Sequence, residues 1–552
     1  MEGIGTKPRP SRLTTMPPER ITIFHRFRSG FTGEVCSMRV VDGRVAAYGR
    51  DVDAAGAQIV SMDGRWLMPA FTEAHCHILP AGLDLAKLNL TSYASQEEAL
   101  DAIRERHAAL EGGRWLMAIH YDNRRFPEDL HLTRQQLDAI SSVRPILLTH
   151  SSLHSGVANS PALMEASVTE NESDGPSAVY GRNANGKLDG LLIEDAYLRV
   201  FRAAPHPNVQ EMATAILAAG KIMATRGILC AADLMTGYYD LLEEIAAYRL
   251  AAEMGNPVPV RLYAQWGSLF GPRRVNASAL KDAVDGLEAV GGRLAGAKIF
   301  ADGAIASNTA AIYGTYAQGR EVGRSLSRHS RSAQDFAPAG VEVSGQLIYS
   351  PERLTMMVRT AHEAGMQVSV HSIGDFCTDL VMDAFEALDN PNPHRIEHAM
   401  LLSDAQIERM ARLGCFCSMQ PEFLARAPSP YVAQLGLERA ASLIRLRSAA
   451  DAGIKLSLSS DWPVTTGEPL AGVRAAAQRP AEFDPAENLT PAEALKMYSL
   501  GGAETLRETD GGSLSHGQRA DFIVFAHDPR ELVHPISQVW RAGSRLAEAA
   551  TA

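Results

Sequence analysis

Between residues 71 and 460 the chain alternates short apolar, strand-like runs with helical patterns. That alternation constrains the fold more than any other feature, because parallel strands need a long crossover between neighbours and a helix usually fills it. Eight such runs lie near 71–77, 228–232, 259–264, 294–300, 366–371, 394–398, 415–419 and 454–460. Helix signals separate the later ones. Ser350 before Pro351 reads as an N-cap followed by proline at the first helical position, Leu354, Met357, Val358 and Ala361 make a stripe of period 3.6, and Gly365 closes it. Ser403 to Gly414 repeats that grammar, and Thr490-Pro491-Ala492-Glu493 opens a further helix with a capping box. The expected fold class is α/β, a distorted (β/α)8 TIM barrel spanning 69–508.

At 552 residues the chain exceeds one ordinary domain, and the surplus has three places. The ends build a small β-sandwich domain from 20–68 and 509–552. Its signs are the hairpin signal Asp42-Gly43 between β-formers, Ala520 to Phe525, and Val539 to Gly543. The interval after the first strand is far too long for one crossover, so about 80–210 is read as an inserted subdomain over the barrel mouth, with a strand at Pro145 to Thr149. A second insertion, Gly319 to Gln346, carries Arg320, Arg324, Arg328 and Arg331 among serines and reads as loop, either solvated or closing over substrate. Residues 1–19 read as a disordered leader.

A net charge of -11 disfavours nucleic acid and anionic membrane as partners and leaves a small-molecule substrate. No apolar run approaches the roughly 18 residues of a membrane span, and the start lacks a signal-peptide core, so a cytoplasmic protein is expected. The six cysteines form no CxxC pattern and read as reduced thiols.

Chemistry-bearing residues fall where barrel active sites lie, at the C-terminal ends of the predicted strands. His75 and His77 share a strand face by period-two alternation, so two imidazoles converge as a metal requires. Lys298, His371, His398 and Asp461 each follow an apolar run. Singly, each has a structural reading, as surface base, core histidine or N-cap. Jointly they occupy strands one, four, five, six and eight. Cys76 points away and reads as packing.

The joint pattern resembles the amidohydrolase superfamily, in particular the amidohydrolase 3 branch of YtcJ-like and N-substituted formamide deformylase-like proteins. The residues that carry it are Pro69 to His77, Lys298 to Ala304, His371 to Asp375, Arg395 to Ala399, Ser460 to Val464 and Gly517 to Phe522. Ala70 and Glu73 stand where that family usually has Gly and Asp. The resemblance implies two zinc ions: a more buried one on His75, His77 and Asp461, and a more exposed one on His371 and His398. Lys298, carboxylated by CO2, would bridge them. It further implies a hydrolase of C–N bonds other than peptide bonds (EC 3.5), acting on an amide or N-substituted formamide through a metal-bound hydroxide, with Asp461 as proton carrier. His154 would contact substrate or be structural, Asp302 would orient Lys298 or cap a loop, and Trp462 would wall the pocket or pack. The alternatives are a mononuclear deaminase-like enzyme of the same fold, a metal-dependent lyase, and a metal-binding module without activity. A homodimer is the default assembly.

Overall fold

All eight apolar runs form strands: β1 (Phe71–Cys76), β2 (Ile228–Thr236), β3 (Val260–Gln265), β4 (Arg293–Phe300), β5 (Gln367–Ser372), β6 (Arg395–His398), β7 (Phe416–Met419) and β8 (Lys455–Leu458). The computed structural model describes residues 20–127, 129–151, 155–174, 178–317, 330–389, 393–426 and 428–548. The leader, His154, Arg320, Arg324 and Arg328 lie outside the described residues.

Successive strands pair in parallel from β1 through β8 in a single sheet. The seam between β8 and β1 is bridged just beyond the ladder. Asp461 donates its N–H to the His75 carbonyl (2.8 Å), and His77 donates to the Trp462 carbonyl (2.7 Å). Glu73 straps the same seam: its Oε1 accepts from the Ser460 N–H (3.0 Å) and its Oε2 from the Tyr498 hydroxyl (2.8 Å). The result is a nearly closed TIM-like barrel.

The predicted caps work as read. Ser350 accepts from the Arg353 N–H at the start of Pro351–Glu363, whose stripe is buried, and Gly365 follows in the left-handed region. Thr490 and Glu493 cap each other reciprocally. Helix α1 (Ile78–Leu85), capped by His77, lies against α2 (Val209–Thr225). The approach requires Gly82, where a Cβ would sit 2.2 Å from the Ala215 carbonyl oxygen.

Both chain ends enter one eight-stranded sheet, joined where Trp66–Pro69 pairs antiparallel with Phe522–Phe525. The strands form one hydrogen-bonded network, not two separate sheets. Phe24 packs edge-on against Phe522 (4.8 Å) and Trp540 (5.0 Å), so the ends hold each other through buried aromatic contacts worth roughly 1 kcal/mol each beyond area burial. Pro69 ends this sheet one residue before β1, which anchors the start of the barrel.

Between β1 and β2 the chain forms a six-stranded mixed sheet from Leu88 to Glu194, with Ile146–His150 as the strand read at 145–149. It has apolar clusters of its own. In the second insertion, the described part after residue 329 holds two-residue pairings and a short turn of helix, with Arg331 exposed. No helix among the described residues is long and apolar enough to cross a membrane.

Candidate metal centre

The strand ends bring the predicted residues together. His75 comes from β1 and His77 from the residue that caps α1. Lys298 comes from β4, His371 from β5, His398 from β6, and Asp461 from just beyond β8. His398 and Asp461 hold φ of 74° and 58°, a left-handed conformation that costs a non-glycine residue free energy and turns each away from its strand.

His75, His398 and Asp461 offer ligand atoms within 4.8 Å of one another, all buried. Asp461 Oδ1 lies 2.9 Å from His77 Nε2 and 3.5 Å from His75 Nε2, yet neither approach is aligned as a hydrogen bond, and that oxygen has no hydrogen-bond donor. The His371 ring sits 4.6 Å from that of His398, and the His75 ring 4.8 Å from it. Lys298 is 1% exposed, and its Nζ has no hydrogen-bond partner. Its nearest aromatic contact is the Phe300 ring at 4.9 Å.

Each central imidazole is fixed from behind. His75 donates from Nδ1 to Glu397 Oε2 (2.6 Å), which leaves Nε2 as its lone pair toward Asp461. His398 donates from Nδ1 to Gln420 Oε1 (2.7 Å), and Gln420 in turn donates to Ser459 Oγ (2.8 Å). His371 donates from Nε2 to the Gly303 carbonyl (3.1 Å), leaving Nδ1 free. Glu397 is itself held by Arg395 and by the Ser369 hydroxyl (2.7 Å). Sequence reasoning missed Glu397, Gln420 and Ser369 as supports. The one available signal was Arg395 and Glu397 two apart on a strand, hence on one face.

The electrostatics favour neutral imidazoles. Burial, reinforced by the nearby Lys298 amine, pushes His75 down to about 4 and His371 down to about 3, and burial with His371 beside it holds His398 well below the usual range. Neutral imidazole is the form that ligates metal. Burial lowers Lys298 to about 8 against the opposing pull of Glu397 and Asp461, so roughly a tenth is free amine at pH 7, far more than for an ordinary lysine. Burial opposes the ionisation of Asp461 and Glu397. The site imidazoles outweigh it for Asp461, and Arg395 with His75 does so for Glu397, leaving both below the ordinary carboxylate range.

The remaining candidates differ in placement. Asp302 is buried and its carboxylate accepts from the N–H groups of Ile373 (3.0 Å), Gly374 (2.9 Å) and Ala311 (3.0 Å), tying the β4 and β5 loops together. Trp462 packs under the Arg226 guanidinium (5.5 Å) and hard against Gly467. Cys76 is buried, with its thiol on the Ala232 carbonyl (3.2 Å).

A neutral histidine cluster facing one carboxylate with unshared lone pairs, beside a buried amine, is a donor set suited to a divalent cation. The sequence profile of the Amidohydrolase family matches residues 58–547. The chain belongs to the amidohydrolase family. It is 29% identical over 484 residues to YtcJ of Bacillus subtilis strain 168, covering 85% of each chain. It is 25% identical over 513 residues to the N-substituted formamide deformylase of Arthrobacter pascens, covering 89% of this chain and 90% of that one. The fold matches the crystal structure of an uncharacterized metal-dependent hydrolase from Pyrococcus furiosus with a TM-score of 0.71 at 23% identity, over 92% of this chain and 100% of that one.

Proposed function

We propose that this amidohydrolase hydrolyses the C–N bond of a small amide or N-substituted formamide at a two-zinc centre. The observation that carries the reading is the buried Lys298 amine without a partner, set among His75, His77, His371, His398 and Asp461. A buried unpaired amine is costly unless something else occupies its neighbourhood. The residues fit a metal pair: His75, His77 and Asp461 would hold one cation, His371 and His398 the other. When bound, such cations supply Lewis-acid polarisation of a carbonyl and bring the acidity of a water toward neutrality.

The chain's own residues do the rest. The free amine of Lys298 adds to CO2, forming an N–C bond and releasing one proton to solvent, and the resulting carbamate is an anionic group with two oxygens able to bridge. Asp461 takes the proton of the attacking water and returns it to the leaving nitrogen, so that one carboxylate serves as base and then acid. Glu397 and Gln420 hold the tautomers of His75 and His398 throughout. The name of the Arthrobacter relative supports a formamide as one substrate class, and the family match supports C–N hydrolysis in general.

A second reading has an observation of its own. Among the described residues His75, His398 and Asp461 form the one group of three close donors, as a mononuclear deaminase-like enzyme would need. Elemental analysis of protein purified without chelator separates the two: about two metals per chain is expected, a reproducible value near one favours the mononuclear reading, and a value near zero with full activity removes both. A screen of N-formyl amines, N-acyl amino acids and small cyclic amides for released amine tests the reaction class.

A further inference from the structure

Between the inserted sheet and the C-terminal ends of β2 and β3 lies a cavity of about 1070 Å³, the size of a ligand pocket, and none of the six residues of the metal centre lines it. Its walls come from α1, α2, the loops after β2 and β3, and the inserted region. Two features set it apart from a packing defect.

The first is its aromatic surface. Trp115, Phe201, Tyr238 and Tyr239 line it, with the Trp115 indole fixed by a hydrogen bond to Glu165 (2.8 Å) and the two tyrosine rings edge to face at 5.0 Å. Leu85 and Tyr238 remain 46% and 42% exposed there, apolar area that a folded chain usually covers.

The second is charge. In a chain of net charge -11, the lining carries Lys87, Arg114, Arg202 and Arg273 against the single carboxylate of Glu211. Lys87 is paired with Asp84 (2.6 Å) and Arg114 with Glu211 (3.1 Å). Arg202 and Arg273 make no ion pair among the described residues, and Arg273 is steadied by the neutral Gln265 (3.0 Å). Two exposed guanidiniums without an ion pair, in a lining that also carries four aromatic residues, complement a carboxylate with an apolar body.

We infer that this cavity binds an amphiphilic organic carboxylate, with its apolar chain or ring on the aromatic wall and its carboxylate on Arg202 and Arg273. The site shares no lining residue with the metal centre, although Gln265 is the ladder partner of Lys298, and it does not depend on the reaction proposed there.

Calorimetric titration of the full-length, metal-loaded protein with decanoate, decanol and acetate tests this. Decanoate is expected to saturate at one per chain and bind at least tenfold tighter than decanol, with no binding of acetate, and metal-stripped protein should bind decanoate unchanged. Arg202→Gln with Arg273→Gln should bring decanoate down to the level of decanol, and Arg202→Glu with Arg273→Glu should shift preference to decylamine. Tyr238→Ala, at an exposed position, should weaken decanoate and decanol alike. Equal affinity for decanoate and decanol, no loss in the double variants, or loss of decanoate binding on removal of metal would each overturn the assignment.

Discussion

The two ends of the barrel treat buried charge in opposite ways. At the N-terminal ends of β3 and β4, Arg261 is buried with Glu508, which it meets through two guanidinium nitrogens, and Arg293 joins the same carboxylate at 3.0 Å. Each of these three charges has a partner. At the C-terminal ends, Lys298 is buried with no hydrogen-bond partner and Asp461 Oδ1 lacks a donor. A chain selected for stability alone would have no reason to keep such an amine in its core. One end pairs its buried charges, and the other leaves donors free, as the proposed metal centre requires.

This contrast can be tested from both ends. The largest effect belongs to Asp461→Asn, which removes the charged donor and the proposed proton carrier together. Turnover should fall by at least roughly 10² to 10⁴ while the circular dichroism spectrum stays native. A modest fall would make Asp461 a bystander. At the opposite end, Arg261→Ala leaves Glu508 to Arg293 alone and should destabilise the protein in urea unfolding by less than the roughly 3–5 kcal/mol of a fully stranded charge, with turnover per folded molecule unchanged. If turnover fell as well, the two ends would not be separable.

Lys298→Met should reverse that sign for the metal-free protein. Replacing an unpaired buried amine by an apolar side chain of similar length should stabilise the apo form by about 1–3 kcal/mol, while metal content and activity drop. Short carboxylates added to Lys298→Ala should restore part of the activity. An apo form that unfolds at lower denaturant than wild type would mean that the amine has a stabilising contact.

The remaining effect is a slope. His75, His371 and His394 are pushed down to about 4, about 3 and about 3, in each case chiefly by burial. Below pH 6.5 the unfolded chain takes up protons that the folded chain refuses until about pH 4. Stability of the apo protein is therefore fully present above 6.5 and should decline below it, by up to about 1.4 kcal/mol per pH unit for each histidine. Stability that stayed flat from pH 7 to 5 would show that these imidazoles protonate in place.

Most of the barrel was legible because apolar runs and helix caps are local signals. Ser350, Pro351 and Gly365 mark a helix within a few residues, and the strand ends placed His75, Lys298, His371, His398 and Asp461 without tertiary information. What supports those residues was not legible. Glu397 reaches His75 across 322 positions, and no spacing rule connects them. Glu73, read as a departure from the family pattern, is a strap across the barrel seam, a role visible only once β8 lies beside β1. The terminal strands were legible as strands, but their union in one sheet depends on pairing Trp66–Pro69 with Phe522–Phe525, far apart in sequence.

The Glu73 strap also sets an order of events during synthesis. Ser460 is 387 positions downstream of Glu73, and Asp461 follows it immediately. A nascent chain that has emerged through β7 already displays five of the six donors, but not the carboxylate that faces His75 and His77, nor the bond that draws the first strand to the last. An ion captured at that stage would meet an open half-ring of histidines. The ribosome must therefore release nearly the whole polypeptide before the donor set is complete, so under the proposed metal reading any choice between one cation and another belongs to the finished molecule.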